Sequence, residues 1–454
     1  MKNSIFKDRE FLRKTLVLTL PLAGQSVLST LMHLISSIII GKLGDQIIAT
    51  NNVATNIYGL FSMMISGCIT GAVILQAQYW GRKDSAAIRK LMTVTIYLAV
   101  FFSAVGLLAV HLIPEKLIMM YTKDTGLLEY GISYLQMLSY SLLPFGLSTA
   151  IIMAFSSMGR VKVGFQMELM NSILSTLLGI MLVHGFGGIP AYGLIGYAYA
   201  QMISRVLCFA FSVWYLFKND SVMEYRLKDL AILPEKELLW LYIRTDYPVF
   251  ASDTLMMLVS MIQTIIAGRV STEYITANSI VHNIWMTAAL FGMGCGKAAA
   301  IIIGNSVGAG DLEEAQNLAE KYIQLSGIIA LSVAVTIYII AEPIIGRYVI
   351  SEAANETVHD LITPSAITAI ITMYQLIIGH GVVRAGGQVR ETTAVELLAA
   401  FLVSLPAGWL AACKLQLSPA LIYIILRLDK LITAIWALIK VRKKRWIKNL
   451  LVTQ

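Results

Sequence analysis

Apolar runs of about twenty residues follow one another along this chain almost from end to end. A helix of that length crosses the hydrocarbon core of a bilayer and satisfies its own backbone hydrogen bonds where no water can. The runs therefore predict an all-α membrane protein. About twelve spans are expected, near 15–38, 52–78, 91–113, 131–155, 163–186, 191–217, 243–268, 277–306, 322–346, 361–383, 392–413 and 418–440. Of the 454 residues 57% are hydrophobic and only 14% charged, against about a quarter charged in soluble domains. The charged opening MKNSIFKDREFLRK leads into a run too long for a signal-peptide core, so no cleavable leader is expected.

The basic residues cluster in alternate connections. Lys2, Lys7, Arg9, Arg13 and Lys14 precede the first span; Arg82, Lys83, Arg89 and Lys90 follow the second; Arg160 and Lys162 follow the fourth; the tail reads KVRKKRWIKNL. The other loops are short or nearly balanced, which by the positive-inside rule puts both termini in the cytoplasm. The net charge of +8 thus reports topology and calls for no nucleic-acid partner. Cys68, Cys208, Cys295 and Cys413 all fall in apolar runs and read as small buried hydrophobes.

The chain also repeats itself at a shift of 227 residues. SSIIIGKLGDQIIATNNVATNI (36–57) lies over QTIIAGRVSTEYITANSIVHNI (263–284) without a gap. The register pairs Pro21 with Pro248, Gly41 with Gly268, Asn51 with Asn278, Gly81 with Gly308 and Asp84 with Asp311. With small changes of shift, Glu168 meets Glu396, and Arg205, Trp214 and Lys218 meet Arg427, Trp436 and Lys440. Matches of Leu or Ala are cheap in apolar sequence; matches of Pro, Asn, Glu, Arg and Trp are not. The expected organisation is an N-lobe at 1–218, a cytoplasmic connection at 219–240 and a C-lobe at 241–454. Six spans in each half give parallel repeats about a central cavity, an arrangement suited to alternating access. Pro21 and Pro248 are expected to interrupt the first helix of each half, either as simple kinks or as markers of a binding site.

Four stretches carry a resemblance: IIIGKLGDQIIATNNVATNI with its C-half copy, IIIGNSVGAGD (301–311), VVRAGGQVRETT (382–393) and YGLIGYAYAQMISR (192–205). Together with the tail RKKRWIKNL, they make the chain similar over its full length to the multidrug and toxic compound extrusion (MATE) transporters of bacteria. The resemblance implies a twelve-helix exporter in the cytoplasmic membrane. It would expel amphipathic, often cationic organic compounds against Na⁺ or H⁺, without a cofactor and as a monomer. Three positions depart from the family pattern. Its acidic residue late in the first helix is replaced within Ile35-Ser36-Ser37, its counterpart in the seventh helix is Gln263, and the Asp after the glycines of the tenth is Gln388.

Ionisable residues inside spans cost enough to require a partner or a function. Asp253, Lys297 and Glu396 are expected at similar depth in the C-lobe, with Lys297 either pairing with Asp253 or snorkelling to water. Glu168 and Glu396 are either protonatable cavity groups or carboxylates at helix starts. Asp429 and Lys430, as sequence neighbours, point apart and are expected to pair with other helices, with Arg427 among the group. Candidate cation- or proton-coupling groups are thus Asp253, Glu168, Glu396 and Lys297, and candidate cavity residues are Ser36, Gln263, Asn56, Asn283, Tyr58, Trp285 and Asn171.

GNSVGAGD (304–311) lacks the strand and the Gly-Lys-Ser/Thr ending of a phosphate loop, so it reads as a helix exit with Asp311 capping the next helix. The six histidines are scattered without metal-ligand spacing, which disfavours an enzyme. The closest competing reading is a flippase for a lipid-linked precursor.

Overall fold

The computed structural model describes residues 8–120, 128–218, 223–348 and 350–451, apart from positions 42, 44, 187, 189, 233 and 449. Lys2 and Lys7 lie outside the described residues, as do 219–222 of the expected connection and the side chain of Ser37. Among the described residues, eleven helices are long and apolar enough to cross a membrane.

Two compact units divide the chain. The first, unit N, holds Gly24–Gln76 and Asp84–Tyr247; the second, unit C, holds Met1–Ala23, Ala77–Lys83 and Pro248–Gln454. Three long helices contribute to both: α1 (Arg9–Gly41), α2 (Asp45–Gly81) and α9 (Lys236–Val270). Pro21 and Pro248 each sit inside a helix that continues past them, α1 and α9. A helix keeps running past a proline when neighbouring groups take up the freed carbonyls.

Unit N adds α3 (Ser85–Leu112), α4 (Pro114–Met119), α5 (Leu128–Ser139), α6 (Leu142–Ser157), α7 (Val161–His184) and α8 (Gly193–Lys218). Its core gathers Ile40, Ile57, Ile65, Tyr134 and Leu142, all at most 2% exposed. The connection after α8 folds onto α3. Arg89 donates to the Met223 carbonyl (2.6 Å), and the Thr93 and Tyr225 hydroxyls share a hydrogen bond of 2.7 Å.

Unit C continues with α10 (Thr272–Gly308), α11 (Leu312–Ile345), α12 (Glu352–Tyr374), α13 (Val389–Ala399), α14 (Leu405–Trp409), α15 (Pro419–Ile425) and α16 (Leu428–Arg442). On α11 the pattern is that of a helix between protein and lipid. Ala330, Val333, Ala334 and Ile337 are buried, while Leu331, Val335, Tyr338 and Ile339 are at least half exposed. The Phe11 ring meets Tyr322 edge-on at 5.2 Å, and the Thr15 hydroxyl lies 3.2 Å from the Tyr322 hydroxyl.

The helix exits follow the repeat. Asp84 accepts from the Ala87 amide (3.0 Å) to cap α3, and Asp311 accepts from the Glu314 amide (2.9 Å) to cap α11. Beyond α16 the tail folds back onto its own unit. Trp446 is fully buried, and its indole N–H donates to Gln316 Oε1 at 2.7 Å.

Unit C is irregular in several places: short π-helical turns at Ala400–Ser404 and Leu410–Lys414 flank α14, and two larger departures bear on the site. Residues Gln375–Arg384, which continue α12, wind as a wide π-helix with i→i+5 hydrogen bonds. The run expected as one span at 418–440 is instead two short helices, α15 and α16, broken at Leu426–Arg427. Side chains hold that break. The Leu426 carbonyl accepts from Gln263 Nε2 (2.7 Å) and from the Ser404 hydroxyl (2.6 Å).

Candidate substrate and ion sites

Each unit contains a polar pocket of a size for a small organic molecule, about 490 Å³ in unit C and about 450 Å³ in unit N. Their linings correspond through the repeat. Ser36 and Gln263, Asn51 and Asn278, Thr55 and His282, and Tyr58 and Trp285 occupy matched positions, one of each pair in each pocket. Arg205 and Arg427 are matched in the same way. The repeat thus places polar side chains at the same points of two helices, and each unit folds them around a cavity.

In the unit N pocket, Glu168 is the one lining carboxylate, and no cation lies within ion-pair distance of it among the described residues. Asn171, one helical turn further along α7, is buried with no hydrogen-bond partner for its Oδ1 among the described residues. The Tyr134 hydroxyl donates to Asn51 Oδ1 at 2.7 Å, and Gln201 Nε2 donates to the Tyr197 hydroxyl at 2.7 Å. Arg205 stacks over the Phe145 ring at 5.0 Å.

Glu396 occupies a different environment, 3% exposed inside unit C. Its Oε1 accepts from Gln375 Nε2 (2.7 Å), and its Oε2 accepts from an Arg384 guanidinium N–H (2.8 Å) and the Ser252 hydroxyl (3.3 Å). His380 Nε2 lies 3.3 Å from the same Oε2. The Lys430 ammonium bridges two carboxylates, at 3.0 Å from Asp429 and 3.9 Å from Glu396. The π-helical winding explains how three groups of one segment converge. A five-residue hydrogen-bonded turn brings Gln375 and His380 to one side, with Arg384 following on it, facing α13.

Several expectations need correction here. Lys297 is exposed and has no carboxylate within 4.0 Å among the described residues, so it forms no pair with Asp253. Asp253 is half-buried on α9, next to the fully buried Ser252. Asp429 and Lys430 do not point apart: they are paired with each other at 3.0 Å, while Lys430 also reaches Glu396 of α13 as a partner on another helix. Asn283 does not join its pocket; it is exposed and donates to the Tyr348 hydroxyl at 3.3 Å. Asn56 does line the unit N pocket.

Arg384, His380, Gln375 and Ser252 are absent from the sequence-based candidates. The apolar run ends at Val383, which makes Arg384 read as loop; only the π-helical extension carries it into the unit. The glycines of LIIGHGVVR are the one local hint of irregular winding.

A chain of membrane-spanning helices, folded from an internal repeat into units with matched polar pockets, is a multi-pass membrane protein of transporter-like architecture. It belongs to the MatE family, whose model matches residues 21–184 and again 248–410. The two matches begin at Pro21 and Pro248, in the register of the repeat. Similar chains include the probable multidrug resistance protein NorM of Agrobacterium fabrum, 23% identical over 377 residues, covering 82% of this chain and 80% of that one. The uncharacterized transporter YisQ of Bacillus subtilis is 23% identical over 463 residues, 99% of each chain. Among solved structures, the Vibrio cholerae MATE transporter VcmN in the bent form gives a TM-score of 0.85 at 15% identity, covering 97% of this chain and 99% of that one. That likeness is one of fold.

Proposed function

We propose that this protein is a secondary active exporter that moves small amphipathic organic compounds out of the bacterial cytoplasm by alternating access, with both termini cytoplasmic. The observation that carries the reading is the pair of repeat-matched polar pockets, one in each unit, in a chain of the MatE family. Two similar bundles built from parallel repeats are an arrangement suited to alternating access. Cationic compounds are the class implied by the family resemblance.

The coupling ion, H⁺ or Na⁺, engages Glu168. Glu396 is already neutralised by Arg384 and Lys430, whereas Glu168 faces a pocket without a paired cation and beside the unsatisfied Asn171 carbonyl. Either ion would take those oxygens as ligands or as a proton acceptor. The test is efflux of a fluorescent organic cation from proteoliposomes under an imposed Na⁺ or H⁺ gradient. One gradient is expected to drive efflux in the parent and not in Glu168→Gln. A protein inert under both gradients overturns the exporter reading; a Glu168→Gln variant that stays gradient-driven overturns the coupling assignment.

A further inference from the structure

We infer that the unit C pocket is a subsite for an anionic group (a carboxylate, sulfonate or phosphate) on an aromatic substrate, with Arg427 as the recognising residue. The inference rests on the export reading for its physiological meaning, but the site itself is a claim about binding.

The pocket's charges do not cancel. Its one lining carboxylate, Asp429, is fully buried and already holds the Lys430 ammonium at 3.0 Å, with the Ser404 hydroxyl 3.4 Å away. Lys430 in turn reaches Glu396. Arg427 is left with no carboxylate within 4.0 Å among the described residues.

What holds Arg427 is neutral. Its guanidinium carbon lies 3.4 Å from the centre of the Tyr423 ring, one N–H donates to the Tyr423 carbonyl (3.1 Å), and another meets Asn278 Oδ1 (3.5 Å). A guanidinium has five N–H donors in a planar fork. These contacts orient it and use two donors without neutralising it. A fixed and uncompensated guanidinium inside a membrane protein calls for a partner, and the fork fits a two-oxygen anion.

The surroundings supply the apolar half of the ligand. Trp285 stacks on His282 with ring centres 5.7 Å apart, and Met256, Val259 and Ile275 complete the wall. The cavity of about 490 Å³ admits an aromatic ring with its acidic substituent. Arg205, the repeat counterpart, shares its pocket with Glu168, so the anion preference belongs to unit C.

The test is calorimetric titration of the full-length protein in nanodiscs with naphthalene-2-sulfonate and with the uncharged naphthalene-2-sulfonamide. The sulfonate is expected to bind about tenfold or more tightly than the amide, the effect of a charge-assisted hydrogen-bond pair. Arg427→Gln should abolish that preference and Arg427→Lys should keep part of it. Asn278→Asp leaves the arginine in place but puts a carboxylate beside it, and should abolish the preference too. Equal affinities in the parent overturn the inference, as does a preference that survives either Arg427→Gln or Asn278→Asp. Calorimetry needs no gradient. Sulfonate binding without efflux of any compound therefore counts against the export reading alone.

Discussion

Gly81 at the end of α2 and Gly308 at the end of α10 each lie against the backbone of the other's helix within unit C. A Cβ on Gly81 would stand 1.9 Å from the Asn305 carbonyl oxygen, and one on Gly308 would stand 1.8 Å from that of Gln78. The repeat matches these two glycines, and both are needed for one crossing rather than for two separate turns. Gly308→Ala is expected to force the helices apart, with a loss of stability of about 1–3 kcal/mol or more. A thermal melt of the detergent-solubilised protein checks this; a variant that melts with the parent refutes the close crossing.

Glu396 and Arg384 form the buried centre of unit C, and neither can lose its partner cheaply. Breaking a buried pair leaves an uncompensated charge and costs about 3–5 kcal/mol, while replacing both members by apolar residues is often close to neutral. Arg384→Met and Glu396→Leu should each lower the melting temperature sharply. The double variant should recover much of the loss. Additive losses would mean that the two side chains are not coupled.

Gln263 stands where the resemblance implies an acid, and the structure gives it a different task. It donates to the Leu426 carbonyl freed by the break between α15 and α16. The Ser404 hydroxyl shares that carbonyl, so Gln263→Leu alone is expected to cost about 0.5–1.5 kcal/mol. Removing both donors with Gln263→Leu and Ser404→Ala should cost more than the sum of the single changes, because only then is a buried carbonyl left bare. Double-mutant melts measure the excess.

Asp8, just before α1, bonds the Lys321 ammonium at 2.7 Å and accepts from the Phe11 amide at 2.9 Å. The hydrogen bond from Lys321, with that from the Phe11 amide, holds its carboxyl below the ordinary value of 3.8. The unfolded carboxylate therefore takes up its proton first on acidification. The stabilisation is complete above about pH 4 and fades as pH falls through the depressed native value. Asp8→Asn should melt below the parent at pH 6, and the gap should close toward pH 3. A gap independent of pH would refute the assignment.

The spans, the repeat and the matched polar positions were legible because each depends on local composition or on a fixed sequence offset. Ser36, Gln263, Tyr58 and Trp285 stand at matched positions for that reason and line the two pockets, and Asp311 caps α11 from its place before an apolar run. The Glu396 network was not legible. It is drawn from α9, the π-helical segment, α13 and α16, and no sequence offset relates those four elements.

By itself the sequence determined a membrane-helix bundle in two related halves, since apolar length and repeated polar spacing act locally and survive any packing. Only the tertiary structure decided which charges meet. Glu168 and Glu396 are equivalent in the repeat, yet one lines a pocket and the other is buried against an arginine. Charge pairing acts over a few ångströms between helices far apart in the chain, and those distances exist only once the helices have packed.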